Sequence, residues 1–361
     1  MLKKMKLSNI SKLAIVCVAS TLAVWAAVGT KTIYQNFDGP YYIVVAKAWY
    51  NKEIIRNMFS FALPLEYYPA HFPLYPALIN LLNLTGLNHL QSMIMVNLLA
   101  TVAATYVIYK IAEEHKWGDP FWITLAWLFW WPRMWAVRSV GSPETLFILA
   151  VVSSLYFFGK KKYWLSGITG GLAVLTKSPG IILLIAYCTL PVINYLKTKK
   201  IDFKIWPVGI IGLTFLALSY FFFLKTGDFW AYFHTGDNIH LQLLPFKIFD
   251  ANQGWVGSIW LEEIIWIYLV AGIGIYRALK KDMVWGIFGA VFYVLILFVS
   301  HRDIARYSLP LVPVVLLGFA EIFSRKEIKW ALGLLIIPLF FYTINFVLHN
   351  AVAISDWGPL L

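Results

Sequence analysis

Runs of apolar residues, most of them close to twenty long, recur along the whole chain and leave it little choice of fold. They lie near residues 10–29, 91–111, 120–136, 143–158, 163–176, 179–196, 206–224, 256–276, 283–300, 308–323 and 330–349. About twenty apolar residues cross the hydrocarbon of a bilayer as a helix, and shorter runs serve where helices crowd together. Inside lipid the backbone has no water to bond, so each span must satisfy its own N–H and C=O groups, as a helix does. The expected fold is therefore an all-α polytopic membrane protein with about eleven transmembrane helices.

Composition removes the alternatives. With 60% hydrophobic and 13% charged residues and a mean hydropathy of +0.70, 361 residues cannot present a water-compatible surface. The net charge of +12 would suggest nucleic acid in a soluble chain. Here the basic residues fall between spans, at Lys3-Lys4-Met5-Lys6, Lys110 to Lys116, Lys160-Lys161-Lys162, Lys197 to Lys204, Arg277 to Lys281 and Arg325 to Lys329. Such residues fix cytoplasmic orientation and meet anionic headgroups, so membrane lipids are expected partners and nucleic acid is not. The pattern predicts an integral plasma-membrane protein with its N-terminus inside and its C-terminus outside. The first span has the basic start of a signal peptide, but Val28-Gly29-Thr30-Lys31 offers no Ala-x-Ala-like site, so it is expected to stay as an anchor. Cys17 and Cys188 both fall inside spans and read as packing residues.

The connections on the two sides differ in kind. Those assigned to the inside are mostly short and basic, whereas residues 30–90 and 225–255 form two long aromatic segments outside, where function is expected. A single unit, 1–361, is expected to hold both. In the first segment, apolar and aromatic residues at near-helical spacing predict an interfacial helix over 41–51. Pro64, Pro69, Pro73 and Pro76 then predict an ordered loop over 62–76, followed by a short helix over 77–84. Ahead of both stands Asp38, a carboxylate beside a glycine and two tyrosines where the first span meets water.

Phe37-Asp38-Gly39-Pro40-Tyr41-Tyr42-Ile43-Val44-Val45-Ala46 resembles the Trp-Asp-Gly/Ser-x-aromatic-aromatic-Leu-x-Ile-Ala segment that opens the first lumenal loop of PIG-V-like mannosyltransferases. These enzymes, of the GPI mannosyltransferase II kind, belong to the GT-C superfamily of integral-membrane glycosyltransferases. Phe72-Pro73-Leu74-Tyr75-Pro76 is similar to their Phe-Pro-Leu-Tyr-Pro motif, and Ser142-Pro143-Glu144-Thr145-Leu146-Phe147 to their Ser-Glu-Ser-Leu-Phe. Leu175-Thr176-Lys177-Ser178-Pro179-Gly180 resembles Leu-Thr-Arg-x-Thr-Gly, and Arg306-Tyr307 followed by Pro310 resembles a late Arg-Tyr-x-x-Pro. Phe37 in place of Trp, Pro40, Lys177 in place of Arg, and His71 depart from the pattern, and the chain is short for the eukaryotic enzymes. The resemblance implies a prokaryotic relative with a GT-C-like fold. It further implies transfer of a sugar, mannose by these motifs, from a polyprenyl-phosphate-linked donor to a hydroxyl of a lipid or glycan acceptor, with inversion, on the extracytoplasmic side.

Such a displacement needs a base for the acceptor proton and positive charge for the departing phosphate. Asp38 is the candidate base, although Asp-Gly-Pro is also a helix-start signal that would make it an N-cap. Arg306 and Arg302, four residues apart, are candidates for the phosphate because guanidinium forks match its oxygens. Their other readings are headgroup contact for Arg306 and a solvated turn for Arg302. Lys177 is a third phosphate candidate or a headgroup contact. Glu144 suits a helix N-terminus, or else orients the acceptor or partners Arg138. Tyr41, Tyr42, Glu66, His71 and Tyr75 complete the candidate acceptor site. His234, Asp237 and His240 can be drawn as a metal set, but an aromatic loop over the site, with Trp230 and Trp255, is the better reading of 225–255. No metal or cofactor is expected, with a divalent cation at Glu66 and His71 left open. A transporter, or a non-catalytic protein of the same fold, is the alternative class. A transporter would place ionisable residues in mid-membrane and show internal repeats, whereas here the candidates cluster at the outer ends of spans.

Overall fold

The computed structural model describes residues 7–61, 63–199, 203–236, 240–254 and 261–361. Lys3, Lys4, Met5, Lys6, Lys200, Asp237 and Trp255, all named above, lie outside the described residues, as do 256–260 of one expected span.

Helices dominate, and among the described residues the only β-type pairing is two isolated bridges. In chain order they are α1 Asn9–Val28, α2 Thr30–Tyr34, α3 Gly39–Ala48, α4 Lys52–Met58, α5 Leu74–Asn83, α6 His89–Glu114, α7 Pro120–Phe129, α8 Pro132–Arg138 and α9 Glu144–Gly159. There follow α10 Tyr163–Thr176, α11 Ile182–Thr198, α12 Ile210–Thr226, α13 Glu262–Lys281, α14 Met283–Leu297, α15 Ile304–Tyr307, α16 Val312–Gly318, α17 Ala320–Phe323 and α18 Lys326–Leu348. Among the described residues, five stretches are long and apolar enough to cross a bilayer alone: α1, α6, α18, Ser178–Thr198 and Phe203–Thr226. The chain is an all-α polytopic membrane protein.

Local chemistry sets the ends. The Ser8 hydroxyl caps α1, Asn88 and Gln91 form a reciprocal capping box on α6, and Asp282 caps α14 through the amides of Val284 and Trp285. Two expected spans are broken. The run over 120–136 divides at Trp130-Trp131 because Pro132 cannot continue α7, and Pro310 and Pro313 divide the run over 308–323 into short pieces. The helix expected over 41–51 runs over Gly39–Ala48 as α3. α3 is buried almost all round, since Gly39-Pro40-Tyr41-Tyr42-Ile43-Val44-Val45-Ala46 offers no polar face, and it packs on α5 and α6. The expected loop contains a 3₁₀ turn, Leu65–Ala70, and α5 begins at Leu74, slightly earlier than expected.

Small residues let the bundle close. A Cβ on Gly318 would lie 2.0 Å from the carbonyl oxygen of Gly274, so α13 and α16 touch backbone to backbone. The basic connections meet acidic partners at one end of the bundle, as in Lys160 with Glu114 at 2.7 Å, Lys329 with Asp119 at 2.8 Å and Lys281 with Glu321 at 3.1 Å. The starts of α3, α9 and α15 and the ends of α10 and α18 meet at the other.

Candidate active site

Asp38 sits in the tight link between α2 and α3. Phe37, just before it, has φ +48°, a left-handed backbone that a bulky residue adopts only at a cost. The C-terminal segment holds it there. The Asn36 amide donates to Val347 O at 2.7 Å, Phe37 N to Asn350 O at 3.3 Å and Val352 N to Gln35 O at 2.7 Å. Asp38 occupies the N-cap position of α3, but its side chain makes no capping bond. Its backbone carbonyl accepts from the amides of Tyr41 and Tyr42 at 3.0 and 3.1 Å, which leaves the carboxylate for another partner.

That partner is Arg306. Its Nη2 donates to Asp38 Oδ2 at 3.2 Å, its Nε donates to Glu144 Oε1 at 2.7 Å, and its guanidinium lies 4.4 Å from the Phe37 ring centroid. Lys177 Nζ donates to the same Glu144 oxygen at 2.7 Å, and the Ser142 hydroxyl donates to the other. Two carboxylates and two cations thus form one neutral cluster from four distant parts of the chain. Its members differ in access. The Glu144 side chain is 3% exposed and Arg306 11%, whereas Asp38 is 33% exposed. Glu144 anchors the cluster from the first turn of α9, where the helix dipole favours a negative charge. It does not partner Arg138, whose guanidinium donates to Cys17 O, Ser20 Oγ and Thr21 Oγ1 of α1.

Asp38, Arg306 and Arg302 open onto a cavity of about 650 Å³ whose wall also includes Tyr67, Arg133, His240, His301 and Asp303. Arg133 and Asp303 form a second ion pair there, with Nη2 2.9 Å from Oδ1. Burial pushes the Asp303 carboxyl up, against the pull of Arg133 and Arg306. His301 packs on His240 with ring centroids 4.3 Å apart. Burial, reinforced by His240 and the arginines, lowers its pKa to about 4. The second long segment is tied across this wall, because Ser300 N donates to His240 O at 2.8 Å and Gln242 N to Phe298 O at 2.9 Å.

The other expected residues divide. Tyr41 stands at the edge of the site, its ring against Phe61, Tyr67 and His71. Tyr42, His71 and Tyr75 form a buried wedge beneath it, with Tyr42 4.7 Å from His71 and 5.1 Å from Tyr75 between centroids. Tyr75 spends its hydroxyl on Met93 O at 2.8 Å. Burial lowers the pKa of His71 to about 4, so its ring is neutral at ordinary pH. Glu66 lies elsewhere. Its side chain is 59% exposed and pairs with Lys52 at 3.0 Å, which holds its carboxyl below the usual range. His234 pairs with Asp228 at 2.6 Å. Among the described residues no group of three His, Cys, Asp or Glu side chains is placed to hold a metal ion.

Arg133, His301 and Asp303 went unrecognised in the sequence as a single wall. Arg133 falls inside an expected span, and only Pro132 beside it signalled that the helix restarts there and presents a cation at its first turn.

No protein-family model and no curated protein sequence matches the chain. Solved structures do. ArnT from Cupriavidus metallidurans, in crystals bound to undecaprenyl phosphate and in the apo state, superposes with a TM-score of 0.57 in each case. The identities are 15% and 16%, over 90% and 92% of this chain and 62% and 63% of ArnT. The chain therefore spans about three fifths of the length of ArnT. The likeness establishes the fold, which is that of ArnT.

Proposed function

We propose that this protein is an inverting glycosyltransferase that moves a sugar from a polyprenyl-phosphate-linked donor to an acceptor hydroxyl at the extracytoplasmic face of the membrane. The observation that carries the reading is the part-exposed Asp38 carboxylate, paired with Arg306 and opening with Arg302 onto one polar cavity at the end of an apolar bundle. The undecaprenyl phosphate held by ArnT supports the donor class. Mannose is the sugar proposed, on the PIG-V-like segments around Asp38 and Phe72 to Pro76.

In the reaction the acceptor oxygen attacks the anomeric carbon from the face opposite the phosphate. Asp38 takes the hydroxyl proton, the carbon–oxygen bond to phosphate breaks, and its electron pair leaves on the polyprenyl phosphate. Arg306 uses two of its five N–H donors on Asp38 and Glu144 and keeps others for phosphate oxygens, and Arg302 adds a second guanidinium. Lys177 serves through Glu144, whose charge it shares. Tyr41 and Tyr67 edge the space for an acceptor.

Asp38→Asn tests the assignment. Transfer should fall by about 10²- to 10⁴-fold, the usual worth of a general base. Stability should change by no more than about 1 kcal/mol, because the pair is part-exposed and Arg306 keeps Glu144. Full activity in a folded Asp38→Asn protein rules Asp38 out as the base. A protein that binds polyprenyl phosphate but transfers nothing even as wild type favours a binding role instead.

A further inference from the structure

The basic end of the bundle carries a pocket of its own, far from the polar cavity. α9 runs from Glu144, in the charge cluster, to Gly159, about 24 Å away at the helical rise. Beyond it the link to α10 is Lys160-Lys161-Lys162, a turn that bonds itself shut. Lys160 N donates to Tyr156 O at 3.1 Å, Lys161 N to Phe158 O at 2.8 Å and Lys162 N to Phe157 O at 2.9 Å, with Lys161 at φ +59°. The turn is thereby fixed, and its three lysines are exposed. The other wall is the 3₁₀ helix Phe203–Gly209. A Cβ on Gly167 of α10 would lie 2.4 Å from Pro207 O, so α10 and this helix touch backbone to backbone. That contact brings Trp206 edge to face against Trp164, with ring centroids 4.7 Å apart, and puts Lys204 in the same pocket as Lys161 and Lys162. The enclosed space is about 420 Å³.

Charge sets this pocket apart from the other basic connections. Lys160 is paired with Glu114, Lys329 with Asp119 and Lys281 with Glu321. Among the described residues no Asp or Glu lines the pocket, and Lys161 and Lys162 take no acidic partner. Its rim is aromatic. Trp164 and Trp206 are 55% and 64% exposed, as suits indole rings at a membrane–water boundary. From there Leu165, Ile168 and Leu172 follow one another along one face of α10, all exposed, and in a bilayer that face meets lipid.

We propose that this pocket holds the headgroup of an anionic phospholipid of the surrounding bilayer, with its phosphate among Lys161, Lys162 and Lys204 and its acyl chains along the Leu165 face of α10. Three lysines with no carboxylate on the pocket wall attract an anion, and basic pockets between spanning helices take anionic headgroups. A soluble anion would meet only exposed lysines, which water solvates well. A phospholipid in addition covers the two indoles and the leucine face, so the lipid is the favoured source of the phosphate. The site lies at the opposite end of α9 from Asp38 and Arg306 and does not depend on reading their cavity as a sugar-transfer site.

The test is titration of the purified full-length protein with phosphatidylglycerol and with phosphatidylcholine of the same acyl chains, read by native mass spectrometry in about 0.15 M salt, where distant charges are screened. Wild type should take the first phosphatidylglycerol more tightly than the first phosphatidylcholine. Lys161→Gln, Lys162→Gln and Lys204→Gln should each weaken phosphatidylglycerol by about threefold to fivefold, and the triple variant should bind the two lipids alike. Arginine at all three positions should keep the preference. Lys197→Gln with Lys199→Gln, exposed lysines of the next basic connection that do not line the pocket, should change the affinity by less than about twofold. Excess glycerol 3-phosphate should not displace the lipid. Equal wild-type affinity for the two lipids, or a preference that survives in the triple variant, overturns the proposal. An equal loss in Lys197→Gln with Lys199→Gln overturns it in favour of diffuse surface charge, and displacement by glycerol 3-phosphate in favour of a soluble anion. None of these outcomes bears on the role of Asp38.

Discussion

Replacing Glu144 with glutamine removes one negative charge from a cluster that is neutral because Asp38 and Glu144 balance Arg306 and Lys177. The carboxylate accepts from Arg306 Nε and Lys177 Nζ at 2.7 Å each, and its side chain is 3% exposed. An amide keeps the shape but leaves Asp38, which is paired with Arg306, as the one carboxylate of the cluster for two cations. Removing one partner of a buried pair costs about 3–5 kcal/mol, mostly through the uncompensated charge left behind. Glu144→Gln should therefore lower the thermal midpoint in detergent much more than Asp38→Asn does, the reverse of the order expected for their effects on chemistry. Charge is the cause, so adding Lys177→Met should return part of the loss, about 1–3 kcal/mol of coupling in a double-mutant cycle. Glu144→Asp, which keeps the charge, should fall between. A Glu144→Gln protein that melts with the wild type, or a Lys177→Met addition that only worsens it, would refute the view that Glu144 is the fixed counter-charge holding Arg306 toward the cavity.

Acidification should destabilise the protein through His71, whose folded pKa of about 4 lies below the ordinary 6.5. Between those values the unfolded chain binds more protons, so stability falls with pH, by about 2 kcal/mol from pH about 6.5 to about 5, and levels off below about 4. Comparing thermal midpoints across that window, His71→Leu should show a shallower loss than wild type, and an equal slope would remove His71 as the source. Glu66→Gln should change stability by less than about 0.5 kcal/mol and leave transfer intact, since the Lys52 pair is exposed. A large loss of transfer would return Glu66 to the acceptor site. Gly318→Ala places a Cβ against Gly274 and should cost about 1–3 kcal/mol of overpacking, read as a lower melting midpoint that Gly274→Ala does not repair.

Backbone chemistry in lipid made the all-helical membrane fold readable from the sequence, because a spanning segment has no other way to satisfy its peptide groups. The same holds in part where prolines act locally, since the short helix expected over 77–84 is α5, although it begins earlier, at Leu74. Asp38 was legible as a residue of interest from its neighbours alone, and so was Arg306 at the edge of a span. What the sequence could not show is which charges meet. Arg306 lies 268 positions from Asp38 and 162 from Glu144, and nothing local distinguishes a guanidinium that reaches a carboxylate from one that meets a headgroup. Tertiary packing decided that Glu144 sits buried behind the site while Glu66 faces out, and that Asp38 leaves the cap to its own carbonyl. It also turned Arg133, which reads as part of a span, into a cation at the wall of a cavity. Local rules carry over one or two helical turns; the position of a charge relative to its partner is set by how distant helix ends converge.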